Sequence, residues 1–461
     1  MDFNYQPDSN KTVKEIGGDM EKLDFRTSRK ERLSYGGYFL GQNIIFMIVL
    51  QFLMIFYTDV VGIGAAAVGI MFGIARTWDA INDPLLGILV DKANPKKGKF
   101  KPWVNAVIPI IPLVTIFLFI NPKLGDTGTL IYVYVTYILW GMVYTISDVP
   151  IFALATVMTD KVDERTTLIT YGRIAAMIAA VIAMAVFMPV VTATSWTTAI
   201  IIMMVLAFLT MIPIRYFAVE RIVHDRGDGT TLRDIFIFIK SNKYLLIFYS
   251  AFLITGIFNT VMVVQTYYAK YLLGDANLVG ILGITGMAPL LILLPLLPRM
   301  IKKFGKKNIY VYSAIIGIGA NVALYFSGYD NLTMVIVFNA IRTATAFTPM
   351  MMMGLFSADF VEYGNYVSGK RAEGVSFSVQ TFATKFSQAI GAVIAGFMIE
   401  KVYHFVPNAD QSVTTMNGIH FMYSMLPTIG MVIGVIIIIF FYKLKENDVQ
   451  RMIDEMAAKK S

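Results

Sequence analysis

The sequence predicts an all-α polytopic membrane protein of twelve transmembrane helices arranged as two six-helix halves, and three observations predict it. Apolar segments long enough to cross a bilayer, at roughly 1.5 Å of rise per residue, recur along the whole chain. Lysine and arginine gather in every second connection, as they do on the cytoplasmic side of a membrane. The ends of the fourth and tenth segments repeat one another. Composition agrees: 56% of the 461 residues are hydrophobic and 13% aromatic, and the mean hydropathy is +0.64, more apolar than a water-soluble core of this length requires. Cysteine is absent, which removes disulfides, zinc–thiolate sites and thiol nucleophiles. His224, His404 and His420 fall in or near connections, so no histidine-based catalytic or metal site is expected inside the bundle. The first 30 or so residues are polar and show no apolar signal-peptide core.

In chain order, residues 1–34 form a polar N-terminal segment. The first half, 35–219, holds apolar segments at 35–58, 64–90, 103–120, 128–156, 168–190 and 196–219. Residues 220–243 are a polar linker containing RGDGT. The second half, 244–442, holds segments at 244–268, 277–300, 309–328, 331–357, 374–400 and 417–442, and 443–461 is a polar tail. Basic residues crowd the N-terminus, 92–101, Lys161 with Arg165, 215–243, 299–307, Lys370 with Arg371, and the tail; the alternate connections carry little beyond Lys123, Lys270 and Lys401. Both termini are therefore expected in the cytoplasm of a cell bounded by this inner or plasma membrane. The net charge of +8 is a topology signal and not a nucleic-acid footprint. Pro150 is followed by Asp160 and Asp163 at the same spacing at which Pro349 is followed by Asp359 and Glu362, and KKGKFKPW after the second segment has a counterpart in KKFGKKN after the eighth. Two parallel six-helix repeats resemble the major facilitator architecture, whose substrate site lies near mid-membrane between the halves.

The second segment contains the densest polar constellation, ARTWDAINDPLLGILVD at 75–91. On a helix Asp79 and Asp83 stand four apart on one face with Asn82 beside them, about 5–6 Å between Cβ atoms. Two carboxylates that close in a poorly hydrated site hold a proton, a basic side chain or a cation between them. Two readings stay open. Arg76 and Asp79 form an internal ion pair while Asp83 caps or pairs with another helix, or the oxygens bind a hard monovalent cation. No other cofactor is expected. Asp91, Asp160, Asp163, Asp359 and Glu362 lie at cytoplasmic ends beside basic loops, either as gate-forming ion pairs or as ordinary solvated charge.

On the fourth segment Trp140, Tyr144 and Asp148 repeat at four-residue intervals, with Thr145 beside them and Phe152 one turn further. Carboxylate and flat ring together suit a sugar, which offers vicinal hydroxyls and an apolar C–H face; Trp140 taken alone suits packing. Arg173 sits about seven residues into its apolar stretch, within snorkelling reach of the cytoplasm. Lys385 is deeper, with Thr381 and Gln388 on its face, and needs an acid partner from another helix. Arg342, about 11 residues from the outer end, either meets an anionic substrate or snorkels.

YTDVVG (57–62), WDAINDP (78–84), GKFKPW (98–103), YILWGMVYTISDVP (137–150) and ADFVEYGNYVSGKRAEG (358–374) resemble the melibiose permease-like glycoside–pentoside–hexuronide:cation symporters, from about Leu33 to the end of the twelfth segment. The resemblance implies a sodium- or proton-driven sugar symporter. It places Asp79, Asn82, Asp83 and Thr145 at the cation site, Asp148, Tyr144 and Arg173 at the sugar site, and Lys385 on the lysine of the eleventh helix. Two departures stand out. Gln42 and Asn43 replace a Lys–Asp pair of the melibiose carrier, and Phe152 replaces its sugar-stacking tryptophan; the lost carboxylate acceptor weakens the case for melibiose or another galactoside. Loss of the acid at Asn43 together with Arg342 opposite moves the cavity toward an anionic sugar such as a hexuronide. The other readings are an uncoupled facilitator, a lipid transporter of the same fold, and a non-transporting membrane sugar sensor. Asp79 and Asp83 argue against the uncoupled carrier, and no nucleophile–base–orienter set supports an enzyme.

Overall fold

A bilayer offers the backbone no water to bond with, so a chain this apolar must satisfy its amides within helices. The computed structural model describes residues 27–92, 98–222, 238–369 and 373–458, and the side chains of 80–92, 162, 373–375, 377–378 and 457 are outside that description. The helices are α1 (Arg29–Val61), α2 (Ala65–Lys92), α3 (Lys101–Leu118), α4 (Gly125–Met158), α5 (Val162–Ala193) and α6 (Trp196–Phe217), then α7 (Lys243–Leu272), α8 (Leu278–Phe304), α9 (Lys306–Ser327), α10 (Leu332–Ser368), α11 (Glu373–Phe397), α12 (Val413–Phe441) and α13 (Glu446–Ala458). No strand occurs among the described residues. Eleven of the helices are long and apolar enough to cross a membrane. The remaining member of the predicted set, α2, matches them in length with 28 residues and carries Arg76, Asp79, Asn82 and Asp83 within it.

Starts follow from local chemistry. Ser28 and Glu31 form a reciprocal capping box at the head of α1, and Asn242, Asn331 and Ser412 cap α7, α10 and α12 through side-chain oxygens. Several helices outrun their apolar segments. α10 continues to Ser368, well past 357, because its polar final turns still make helical hydrogen bonds. α7 is interrupted between Ile257 and Val261, and α13 arises in what reads as a plain tail. The α13 residues Val449 and Met452 pack against the second half's core, and Glu455 accepts from the Tyr366 hydroxyl at 2.8 Å.

Within the first half α1 packs on α5 and α6, and α4 on α2 and α3; within the second, α7 packs on α11 and α12, and α10 on α8 and α9. The halves meet through α2 with α11, α5 with α8, and the last part of α7 with α1.

The loop repeat noticed in the sequence has a structural meaning. Gly98 takes φ +104° and presents the backbone N–H groups of Lys99, Phe100 and Lys101 to the Glu220 carboxylate at 2.7, 2.8 and 2.5 Å. In the second half Gly305 takes φ +79°, and the Lys306 N–H donates to Glu446 at 2.6 Å. Each half thus ties its second-to-third helix turn to a glutamate just beyond its sixth helix, and only glycine adopts those φ values without strain. Arg221 extends the first clamp by gripping Glu31 with two bonds, 2.7 and 3.0 Å. Glu220→Ala leaves three N–H groups without their acceptor and should lower stability by about 1–3 kcal/mol, visible as a reduced thermal midpoint of the detergent-solubilised protein; an unchanged midpoint would show the clamp to be idle.

Candidate substrate and cation site

A cavity of about 370 Å³ lies between the halves. The first half contributes an aromatic wall of Phe46, Phe72, Tyr137 and Trp140 with Arg76; the second contributes Asn259, Gln265, Arg342, Thr384 and Gln388 among others. Trp140 is 2% exposed and its Nε1–H donates to Thr115 Oγ1 at 3.0 Å, so it both packs and forms wall. Its ring stacks between Tyr137 and Tyr144, with centroids 5.8 and 5.1 Å away.

On α2 the ion-pair reading is realised: Arg76 Nη1 donates to Asp79 Oδ2 at 3.1 Å, and Asp79 is only 5% exposed. Asp79 lies against α4 where Gly141 leaves room, since a Cβ there would sit 3.0 Å from Asp79 Oδ1. Thr145, one turn further along α4, is buried and its hydroxyl donates to the Gly141 carbonyl at 3.1 Å. Asp79 and Thr145 are therefore brought to one α2–α4 contact. Asn82 and Asp83 continue α2, and their side chains lie outside the described residues, as does that of Asp91.

Asp148 and Tyr144 sit on α4 toward the face that carries the termini. Asp148 accepts from Gln42 Nε2 at 3.1 Å, beside the Tyr35 and Tyr38 hydroxyls. Gln42, read from the sequence only as a lost charge, is thus the neutral donor that holds Asp148. Asn43 turns to its own helix and donates to the Phe39 carbonyl at 2.9 Å. Phe152 is half exposed and meets Phe39 edge-on at 5.2 Å. Arg173 is exposed beside Ile174 and makes no bond to Asp148 or Tyr144. None of these three lines the cavity, because each helix turns that position toward its own backbone, a neighbouring ring or the exterior, and Asp148 and Tyr144 also lie outside the lining, behind Gln42 and behind the Phe46 and Trp140 rings. Lys385 is half buried on α11 next to the cavity residues Thr384 and Gln388. Arg342 does not snorkel. It is 4% exposed, lines the cavity, and bonds to Asn339 and to the Tyr423 carbonyl.

At the terminal face Asp359 bonds Lys306 of its own half, Asp160 is exposed and Glu362 half buried. The bonds between described residues that cross from one half to the other lie at the opposite face, and their centre was missed in the sequence. Asp59 accepts from Lys270 Nζ at 2.5 Å, from the Tyr271 hydroxyl at 2.6 Å and from Thr58 at 3.0 Å. Asn408 joins by donating to the Asp59 carbonyl at 2.6 Å and accepting from Lys270 at 2.9 Å. Gln51–Thr266, Thr58–Tyr267, Thr192–Asn277 and Glu400 on the Ala66 N–H add to the closure. Asp59 and Lys270 sit in single π-helical turns that end α1 and α7, the kind of local irregularity found at functional positions.

Residues 34–446 match the family described as MFS/sugar transport protein. The chain belongs to that family. It is accordingly a multi-pass membrane transport protein and not an enzyme. It is 27% identical to the "Uncharacterized symporter YjmB" of Bacillus subtilis (strain 168), covering 94% of this chain and 96% of that one, and 28% identical to the "Glucuronide carrier protein homolog" of Escherichia coli (strain K12), covering 92% and 95%. Its fold is similar to the crystal structure of the nucleoside transporter NupG, with a TM-score of 0.68 and 14% identity over 90% of this chain and 100% of that one. The glycoside–hexuronide symporter family expected from the motifs is thus upheld.

Proposed function

We propose that the protein is a symporter that uses a Na+ or H+ gradient to move a glycoside, pentoside or hexuronide by alternating access, in an inner or plasma membrane with both termini cytoplasmic. The observation that carries this reading is Asp79, a buried carboxylate pressed onto α4 at Gly141 and bonded to Arg76, which lines the cavity between the two halves. Asp83 and Asn82 follow on the same helix. A cation held by Asp79, Asn82, Asp83 and Thr145 fixes α2 against α4 and orders Asp148 and Tyr144, so cation and sugar each tighten the other's site by the same factor. Names of relatives support the direction: one is a symporter and one a glucuronide carrier homolog. With the basic loops inside, the face joined by Asp59 and Lys270 is the outer one and the cavity opens inward. Asp91, Asp160, Asp359 and Glu362 then belong to the gate that closes the inner face in the alternate state.

Uptake of labelled glycosides, pentosides and hexuronides into proteoliposomes, with an imposed sodium or proton gradient and without, tests this. Accumulation above equilibrium that collapses with the gradient is expected. One observation favours a second reading, an uncoupled facilitator: Arg76 already neutralises Asp79. Gradient-independent equilibration alone would select it, and binding without any flux would select a sensor. The Gly141 contact gives a finer test. Gly141→Ala pushes the Asp79 carboxylate off α4 and should raise the cation concentration for half-maximal uptake roughly tenfold, about 1.4 kcal/mol; an unaltered cation dependence would remove α4 from the site.

A further inference from the structure

Resting on the reading of the central cavity as the solute site, we propose that Arg342 forms an oxyanion subsite, so that the transported solute carries a carboxylate or sulfonate. The guanidinium is held on neutral partners alone. Its Nε and Nη2 donate to the single Asn339 Oδ1 at 3.2 and 2.9 Å, its Nη1 donates to the Tyr423 carbonyl, and its carbon lies 3.8 Å from the centroid of the Tyr423 ring. These supports are themselves fixed. Asn339 Nδ2 donates to the Leu282 carbonyl at 2.7 Å, the Tyr423 hydroxyl donates to Asn339 at 3.0 Å, and Tyr268 stacks on Tyr423 at 4.1 Å.

Among the described residues no carboxylate lies within ion-pair distance of Arg342. Arg76 and Arg342 are the charged side chains among the described residues of the cavity wall. They differ in one respect: Arg76 is neutralised by Asp79, and Arg342 is not. Among the described residues the wall therefore carries one uncompensated positive charge. Arginine stays protonated and has five N–H donors, of which three are used here, leaving two for an occupant. A desolvated guanidinium without an acid is costly unless an anion completes it, and its planar fork fits the paired oxygens of a carboxylate or sulfonate. On the first half's side of the cavity Phe46 and Phe72, with the edges of the stacked Tyr137 and Trp140, offer aromatic surface to the C–H side of the hydroxylated remainder.

The test is counterflow and equilibrium binding in proteoliposomes with three methyl glycosides sharing one ring: the neutral glucoside, its 6-carboxylate and its 6-sulfonate. At least one anion should exchange with a half-saturating concentration tenfold or more below that of the neutral glycoside, and Arg342→Gln should erase that advantage. Asn339→Asp places a carboxylate on the guanidinium while keeping the arginine, and should erase it equally; this second variant carries the test if Arg342→Gln does not fold. Preference for carboxylate over sulfonate, or the reverse, supports the proposal and names the anion. Exchange of the neutral glycoside with no competition from either anion, or full anion affinity in both variants, overturns it and leaves the transport reading intact. Absence of exchange and binding for all three overturns both.

Discussion

Asp79→Asn should abolish concentrative uptake while solute exchange persists. The substitution keeps the side chain's shape but removes the charge that a coupling cation requires. Coupling works through differential affinity, so a cation that no longer distinguishes the loaded from the empty cavity transfers no free energy to the solute. Accumulation should fall to the equilibrium level, and counterflow, which needs only solute binding and alternating access, should remain. Asp83→Asn is expected to do the same. Arg76 complicates the interpretation, because its side chain is 12% exposed and would lose its acid; breaking a buried pair from one side costs about 3–5 kcal/mol. The paired variant Arg76→Gln with Asp79→Asn removes both charges and separates a folding defect from a coupling defect. Gradient-driven accumulation surviving in either background would place the cation elsewhere.

Much of the fold was legible because the membrane makes departures from apolarity conspicuous. Charge at Arg76, Asp79 and Asp83 stands out against the oil on either side, and the recurrence of long apolar segments marked the helices. The turn repeat at Gly98 and Gly305 was visible as KKGKFKPW and KKFGKKN, although its purpose, a glutamate carboxylate capping backbone N–H groups, was not; Glu220 lies 120 residues from Phe100. Rotation of helices about their axes was the less legible part. Arg173, Tyr144 and Asp148 were placed at the sugar site by resemblance, with Phe152 in the place of a stacking tryptophan, and none of the four lines the cavity. Arg342 carried two readings because depth alone does not say whether an arginine faces lipid or a neighbouring helix; Tyr423, 81 positions on, decides it. Lys270 was counted only as a stray loop charge and Asp59 only as part of YTDVVG, and their pairing was not legible, since charge beside a loop is ordinary in a sequence. Their meaning depends on two π turns meeting across the halves.

Lys270→Met should shift the protein toward the state in which the face closed by Asp59 is open. Asp59 has a side chain 4% exposed, and its bond to Lys270 exists only while α1 and α7 are together. Losing one charged hydrogen bond costs about 1.5–3 kcal/mol, and because Lys270 is a third exposed, water recovers part of it and the lower end applies. That still moves the equilibrium between the two states roughly tenfold. The chain contains no cysteine, so a single introduced thiol reports accessibility without background. Leu50→Cys places it on the cavity wall. In intact cells a membrane-impermeant maleimide should label Leu50→Cys about tenfold faster when Lys270→Met is present. Lys401→Met is the control. Its partner Glu400 lies next to it in sequence and the Lys401 side chain is 59% exposed, so the pair is worth about 0–1 kcal/mol and labelling should not change. Equal labelling rates with Lys270 and with methionine would mean that the halves are held by Gln51–Thr266 and Thr58–Tyr267 without help from the ion pair. Faster labelling in both the Lys270 and Lys401 variants would point to general loosening of the outer ends instead of release of one latch.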